Sequence, residues 1–191
     1  MNTDLRIIKT KKAIWDAFMK LISTKDYNDI TVTLLAKEAN ISRKTFYTYY
    51  SSIGDLADYY IQYASEQILT TIRKQNFREI FHHPEQMLDA ILTLLAQRNQ
   101  LIQNILFFDE YNVFLHKVER KIINGLIPII QEAYPNINTD NAKLASSFLV
   151  LNLLSMLNFH FNGEKIENIP EHFKNQLIQL NLYGLNGLIN N

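Results

Sequence analysis

The stretch Thr31 to Asp55, TVTLLAKEANISRKTFYTYYSSIGD, constrains this chain most, because its alternation of apolar and polar residues asks for two short helices around a tight turn. Val32, Leu35 and Ala36 fall at i, i+3 and i+4, so a short helix can bury one face while Thr33 and Lys37 point away. Thr31 stands where that helix needs its N-cap. Asn40 follows Ala39, and asparagine is one of the few residues besides glycine that enters the left-handed region cheaply, which suits a turn. Ser42 can cap a second helix, in which Phe46 and Tyr50 face inward with Ile41. Arg43 with Tyr47, and Lys44 with Thr48, then form two outward rows. The exposed face is basic, hydroxyl-rich and aromatic, which is the chemistry of a recognition helix: Arg and Lys for phosphates or guanine edges, hydroxyls for phosphates, a Thr methyl for thymine.

Two helices with a few charges occur in many helical proteins, so the wording around them matters. A leading helix carries Ile14, Ala17, Phe18 and Leu21; Tyr27 follows, then Thr31-Val32 with Leu35-Ala36, then Ala39-Asn40-Ile41-Ser42, and finally Thr45-Phe46-Tyr47-Thr48-Tyr49-Tyr50 leading to Leu56. This segment resembles the DNA-binding domain of the TetR family of transcriptional regulators. The resemblance covers the N-terminal third; beyond it only chain length and helical content match. It implies a homodimer that binds a pseudo-palindromic double-stranded operator, with a divergent C-terminal domain holding a small-molecule effector. Expected DNA contacts are Arg43, Lys44, Thr45, Tyr47 and Thr48 in the groove, with Thr31, Ser42 and Tyr49 on phosphates. The sequence departs from the family pattern at Asn40, where glycine is usual, and at Ile53-Gly54, where a lysine and an acidic residue are usual. The family's phosphate contact is therefore not carried over to Ile53, and the backbone grip is expected to come more from Thr31, Ser42, Tyr49 and the early lysines Lys9, Lys11 and Lys12.

Net charge is zero over 191 residues, so the distribution of charge decides more than the sum. Residues 1–54 hold nine Lys or Arg against five Asp or Glu, and the remainder ten against fourteen, a basic head on an acidic body. The absence of cysteine excludes disulfides, thiolate metal sites and cysteine nucleophiles, and fits a reducing cytoplasm. MNTDLRIIKTKK has no apolar run of signal-peptide length. Leu144 to Phe161 is apolar but broken by Ser146, Ser147, Asn152, Ser155, Asn158 and His160, which reads as a buried helix rather than a membrane span. A cytoplasmic, nucleoid-associated protein with no membrane partner is expected.

Along the chain the spacing predicts an all-α fold of about nine helices: a three-helix helix-turn-helix domain over residues 1–50 joined to a larger helical domain over 51–191. The first helix is placed at Thr10 to Ser23, with Trp15 packing between helices. Ser52 and Asp55 have the capping-box form that opens a connector helix to Lys74. Gln75 to His83 reads as a loop and Pro84 as the start of a helix to Gln97. A short helix is placed over 99–108, and a long one over Glu110 to Ala133 with a kink or break between Asn124 and Pro128. Thr139 or Asp140 caps a helix to Asn162, closed by Gly163, and Pro170 opens the last helix with Phe173, Leu177, Leu180 and Leu185 in a row.

The last two helices carry more apolar surface than one small domain needs. Leu149, Leu153, Met156, Leu157, Leu177 and Leu180 are candidates for the interface with a second copy, which a helix-turn-helix needs to read two half-sites. Phe107, Phe108, Tyr111, Phe114, Phe148, Asn152 and His160 are candidates for an effector pocket, and the low charge of these helices favours an uncharged or amphipathic molecule. The chain has no glycine-rich phosphate loop, nucleophile elbow or HExxH, and its five histidines are scattered without a carboxylate at ligand spacing, so no enzyme activity, metal site or cofactor is expected. Two other functions fit the same features. One is a co-regulator or activator controlled by a protein partner; the other is a ligand-binding or scaffolding helical dimer with no DNA role.

Overall fold

The computed structural model describes residues 2–80, 82–96, 112–161 and 169–189. These fold into eight α-helices, with no strand among the described residues. The helix expected over 99–108 lies outside the described residues.

In the first compact unit, Met1–Tyr60, α1 (Asn2–Ile22) starts well before Thr10, since no Gly or Pro interrupts the preceding residues. Its buried row is the expected one, Ile14, Ala17, Phe18 and Leu21, joined by Ile22. α2 (Val32–Glu38) buries Leu35 and Ala36. α3 spans only Arg43–Tyr47, with Thr48 as its C-cap. The second helix is thus shorter than its pattern suggested, yet Phe46 and Tyr50 are both buried and their rings lie 5.9 Å apart. α4 (Ile53–Lys74) begins inside this unit and ends in the next. Ser52 caps it by accepting the Asp55 N–H at 3.0 Å, while the Asp55 carboxylate accepts from the N–H of Ser51 at 2.8 Å, one residue earlier than a reciprocal box would use. Leu56 and Ala57 complete the core, and Trp15 stacks on Tyr60 with centroids 3.8 Å apart. These contacts are why the expected boundary at Tyr50 falls inside this unit rather than at its edge.

The second unit, Ile61–Asn191, packs α5 (Pro84–Ala96), α6 (Asn112–Ala133), α7 (Thr139–Phe161) and α8 (Glu171–Ile189) with the end of α4. α6 packs on α7, and α7 and α5 on α8. The loop after α4 contains a 3-10 turn, Phe77–Glu79, whose Phe77 is buried. The expected break in α6 does not occur: Pro128 sits inside a continuous helix. Proline removes only its own N–H bond, and Ile122, Leu126 and Ile130 bury the same face on either side of it, so packing outweighs that loss. Gly125 has its own reason, since an added Cβ would overlap the side chain of Leu69 on α4. The cap of α7 is Asn138, whose Oδ1 accepts the Asn141 N–H at 2.8 Å, rather than Thr139 or Asp140; Asn138 is the better cap residue because its side chain reaches back to the third helical position. Gly163 lies outside the described residues. Between α5 and α8, Lys174 Nζ meets Asp89 Oδ1 at 2.7 Å, a bond that raises the pKa of the ammonium above its usual value.

α7 is apolar on both sides. Ala142, Ala145, Ser146, Val150, Leu154 and Leu157 are buried, whereas Leu144, Phe148, Leu151 and Phe159 are exposed, the last at 90%. By length and composition it is the one described helix apolar enough to cross a membrane.

Candidate nucleic-acid interface

The turn between α2 and α3 is built from three local bonds. Thr31 Oγ1 accepts the Leu34 N–H at 3.2 Å, capping α2. Ser42 Oγ accepts the Thr45 N–H at 3.0 Å, capping α3. Between them Asn40 takes φ 54°, the only positive φ at a non-glycine residue among those described. In that conformation the Ile41 N–H reaches the Ala36 carbonyl at 3.0 Å, closing the end of α2.

α3 then presents its side chains as the two-row pattern required. Arg43, Lys44, Tyr47 and Thr48 are exposed, and Thr45 and Tyr49 are half-buried. Tyr47 is held edge-on against the buried Phe46 ring, with centroids 5.6 Å apart, so it projects from a fixed base. Not every hydroxyl is free. Thr48 Oγ1 donates to the Lys44 carbonyl at 3.0 Å, and Ser42 Oγ and Thr45 Oγ1 lie 2.8 Å apart and share a hydrogen bond. Each keeps acceptor lone pairs, but Arg43, Lys44 and Tyr47 are the exposed groups of α3 that remain able to donate outward. Thr31 and Ser42 are exposed at the starts of their helices. Ile53, by contrast, is half-buried at the start of α4 and offers no charge.

The early cations separate by partner. Lys12 is paired with Asp16 at 2.7 Å and Lys20 with Glu38 at 2.5 Å. Lys11 lies over the Tyr59 ring, 4.7 Å from its centroid. Arg6 and Lys9 have no carboxylate partner among the described residues, and with Thr10, Asn40 and Ile41 they line a concave surface beside the helix-turn-helix turn. Sequence reasoning missed Arg6, which belongs to the part of α1 not expected to be helical.

Residues 14–60, the span that holds this arrangement, match the family model described as bacterial regulatory proteins, tetR family. These residues form a DNA-binding segment of the TetR type. A relative in Bacillus subtilis (strain 168), the uncharacterized HTH-type transcriptional regulator YxbF, is 33% identical over 67 residues, which are 35% of this chain and 18% of that relative's length. The TetR transcriptional regulator from Streptococcus agalactiae 2603V superposes with a TM-score of 0.58 at 26% identity, covering 93% of this chain and 98% of that one.

The remaining candidates lie in the second unit or outside the described residues. Phe107, Phe108 and Tyr111 lie outside the described residues. Phe114 is buried in α6, Phe148 is exposed on α7, and His160 is exposed and stacked on Phe173, centroids 3.9 Å apart. None of these three lines the cavity that the unit contains, whose wall is mostly aliphatic; Asn152 reaches it only through its hydrogen bond to Asn181. Of the six interface candidates, Leu157 and Leu177 are in the core, Leu149 and Leu153 line the same cavity, Met156 is half-buried and Leu180 is exposed. Their helical rows face inward because Leu157 and Leu177 follow the buried register of Val150, Leu154 and Phe173. Two histidines do have carboxylate neighbours after all: His116 Nδ1 lies 2.9 Å from Glu119 and His83 Nδ1 3.5 Å from Glu85, both at the surface where side chains one helical turn or two residues apart meet.

Proposed function

We propose that this chain is a sequence-specific transcriptional regulator, a repressor released from a pseudo-palindromic operator when a small molecule binds its second unit. The observation that carries the reading is the capped turn at Asn40, which sets Arg43, Lys44 and Tyr47 outward from a five-residue helix anchored by Phe46. The match of residues 14–60 to the tetR family model supports it, and so does the surplus of basic residues in the first unit. The protein acts as a homodimer in the cytoplasm. Its partner surface is the exposed apolar stripe of α7, Leu144, Phe148, Leu151 and Phe159, together with Leu180 of α8, rather than the buried Leu157 and Leu177.

For release, the effector must bind the DNA-free state more tightly than the DNA-bound one. α4 is one helix with residues in both units, and Ile68 and Ile72 near its end line the cavity, so a ligand there acts on the helix that also carries Leu56. Binding of the purified chain to duplex DNA carrying its site tests the reading. Arg43→Ala or Tyr47→Ala should each cost about 1 to 3 kcal/mol of binding if the side chain reads a base. Unchanged affinity in both variants would sink the assignment.

A further inference from the structure

The cavity in the second unit measures about 110 Å³. Its wall includes Ile68 and Ile72 of α4, Met87 of α5, and Leu153 and Leu154 of α7, and among the described residues its one polar lining residue is Asn181 of α8. We infer that it takes a small uncharged hydrophobic molecule, a short alkyl chain or single ring bearing at most one hydroxyl, with that hydroxyl directed at the Asn181 carboxamide. This rests on the reading of the second unit as the effector-binding one.

Charge excludes most alternatives. Among the described residues no Lys, Arg, His, Asp or Glu lines the wall, and an ion buried without a partner is far less stable than in water. Size excludes others, since drug-sized ligands fill roughly 300 to 1,000 Å³ and a dry apolar cavity of roughly 150 Å³ is enough for benzene. Asn181 narrows the class further. It is buried, its Nδ2 donates to the Leu177 carbonyl at 2.7 Å, and its Oδ1 accepts from Asn152 Nδ2 at 3.0 Å. A carboxamide oxygen carries two lone pairs, so one acceptor position is left for a donor of the ligand. Leu153 keeps partial solvent exposure, which gives the cavity an approach from outside.

Methionine methyl resonances give a direct test, because Met87 lines the cavity and Met19 lies in the other unit. The full chain, labelled with 13C at its methionine methyls, is titrated with 1-pentanol, n-pentane, pentanoate and pentylammonium. The Met87 resonance should move saturably with 1-pentanol and n-pentane and stay still with the two charged chains, which should leave Met19 unmoved as well. Leu154→Trp should fill the cavity and abolish the shift, and Asn181→Leu should weaken 1-pentanol at least fivefold with n-pentane unchanged. No movement at Met87 in the unmutated chain, or equal movement there with pentanoate, overturns the inference whether or not the variants fold. Pentanol that binds at Met87 without changing DNA affinity counts against the effector reading alone and leaves the ligand class standing.

Discussion

Asn40 shows how one residue sets the geometry of a whole motif. A β-branched or alanine side chain at φ 54° costs about 1 to 2 kcal/mol, whereas asparagine and glycine tolerate it. Asn40→Gly should therefore leave thermal stability almost unchanged, and Asn40→Val should lower it by about 1 to 2 kcal/mol, as read from denaturant midpoints. Tyr50 is sensitive to pH instead. Burial, first of all, raises its pKa to about 12, against the lowering effect of the Tyr60 hydroxyl beside it. Tyr60 is shifted upward too, again chiefly by burial, and its hydroxyl donates to the Lys11 carbonyl at 3.2 Å. Because the folded state holds its tyrosine protons more tightly than the unfolded chain, the stabilisation is complete below pH 10 and is lost as pH rises from 10 through about 12. Tyr50 alone accounts for on the order of 2 kcal/mol of that loss. Tyr50→Phe should flatten the fall, followed by unfolding monitored alongside tyrosinate absorbance; an equally steep fall in the variant would remove Tyr50 as its source. The turn at Asn40 was legible in the sequence because so few residues accept that conformation. The engagement of Thr45 and Thr48 in local hydrogen bonds was not, since the same hydroxyls could equally have pointed outward.

Among the elements, α1 and α7 depart most from their sequence patterns. α1 gains its first turns, and with them Arg6 and Lys9 come to flank Asn40 and Ile41. Both are without a carboxylate partner among the described residues, whereas Lys12 is neutralised by Asp16. Each phosphate contact contributes about 0.9 to the slope of log affinity against log salt. Arg6→Gln and Lys9→Gln should each reduce that slope by about 1 on any duplex sequence, and Lys12→Gln should leave it in place. Equal slopes for all three variants would contradict a role for the start of α1 in gripping the backbone, the role that the absent lysine at Ile53 leaves open. α7 has two apolar rows, and sequence periodicity cannot divide a helix that is apolar nearly all round into a core face and a partner face. The structure divides it: Leu154 and Leu157 face inward, Leu144, Leu151 and Phe159 outward. The cavity escaped the sequence reading for a related reason. Aliphatic residues on α4, α5 and α7 look alike whether they close a core or line a void, and Phe114 and Phe148, the described aromatic candidates, do not line it.

At the scale of the whole molecule, the helical fold and the TetR-type N-terminal segment were legible because helix-turn-helix chemistry is local, whereas the boundary after Tyr60 depends on tertiary packing that no local pattern encodes. Reading two half-sites requires two copies. On the proposed reading, the exposed apolar stripe on α7 is the surface used for that pairing. Leu151→Glu should convert the dimer to monomer in sedimentation experiments, and the folded monomer should lose most operator affinity while keeping weak, salt-sensitive binding to any duplex. A variant that remains dimeric would move the interface off this stripe. Selection of genomic fragments by the purified full-length protein, run beside an Arg43→Ala, Tyr47→Ala double variant, tests the central claim most directly. The unmutated protein should enrich a few fragments sharing an inverted repeat, with retention falling steeply as salt rises, and the double variant should enrich none of them; identical fragment profiles for the two proteins, or no enrichment at low salt, would contradict it.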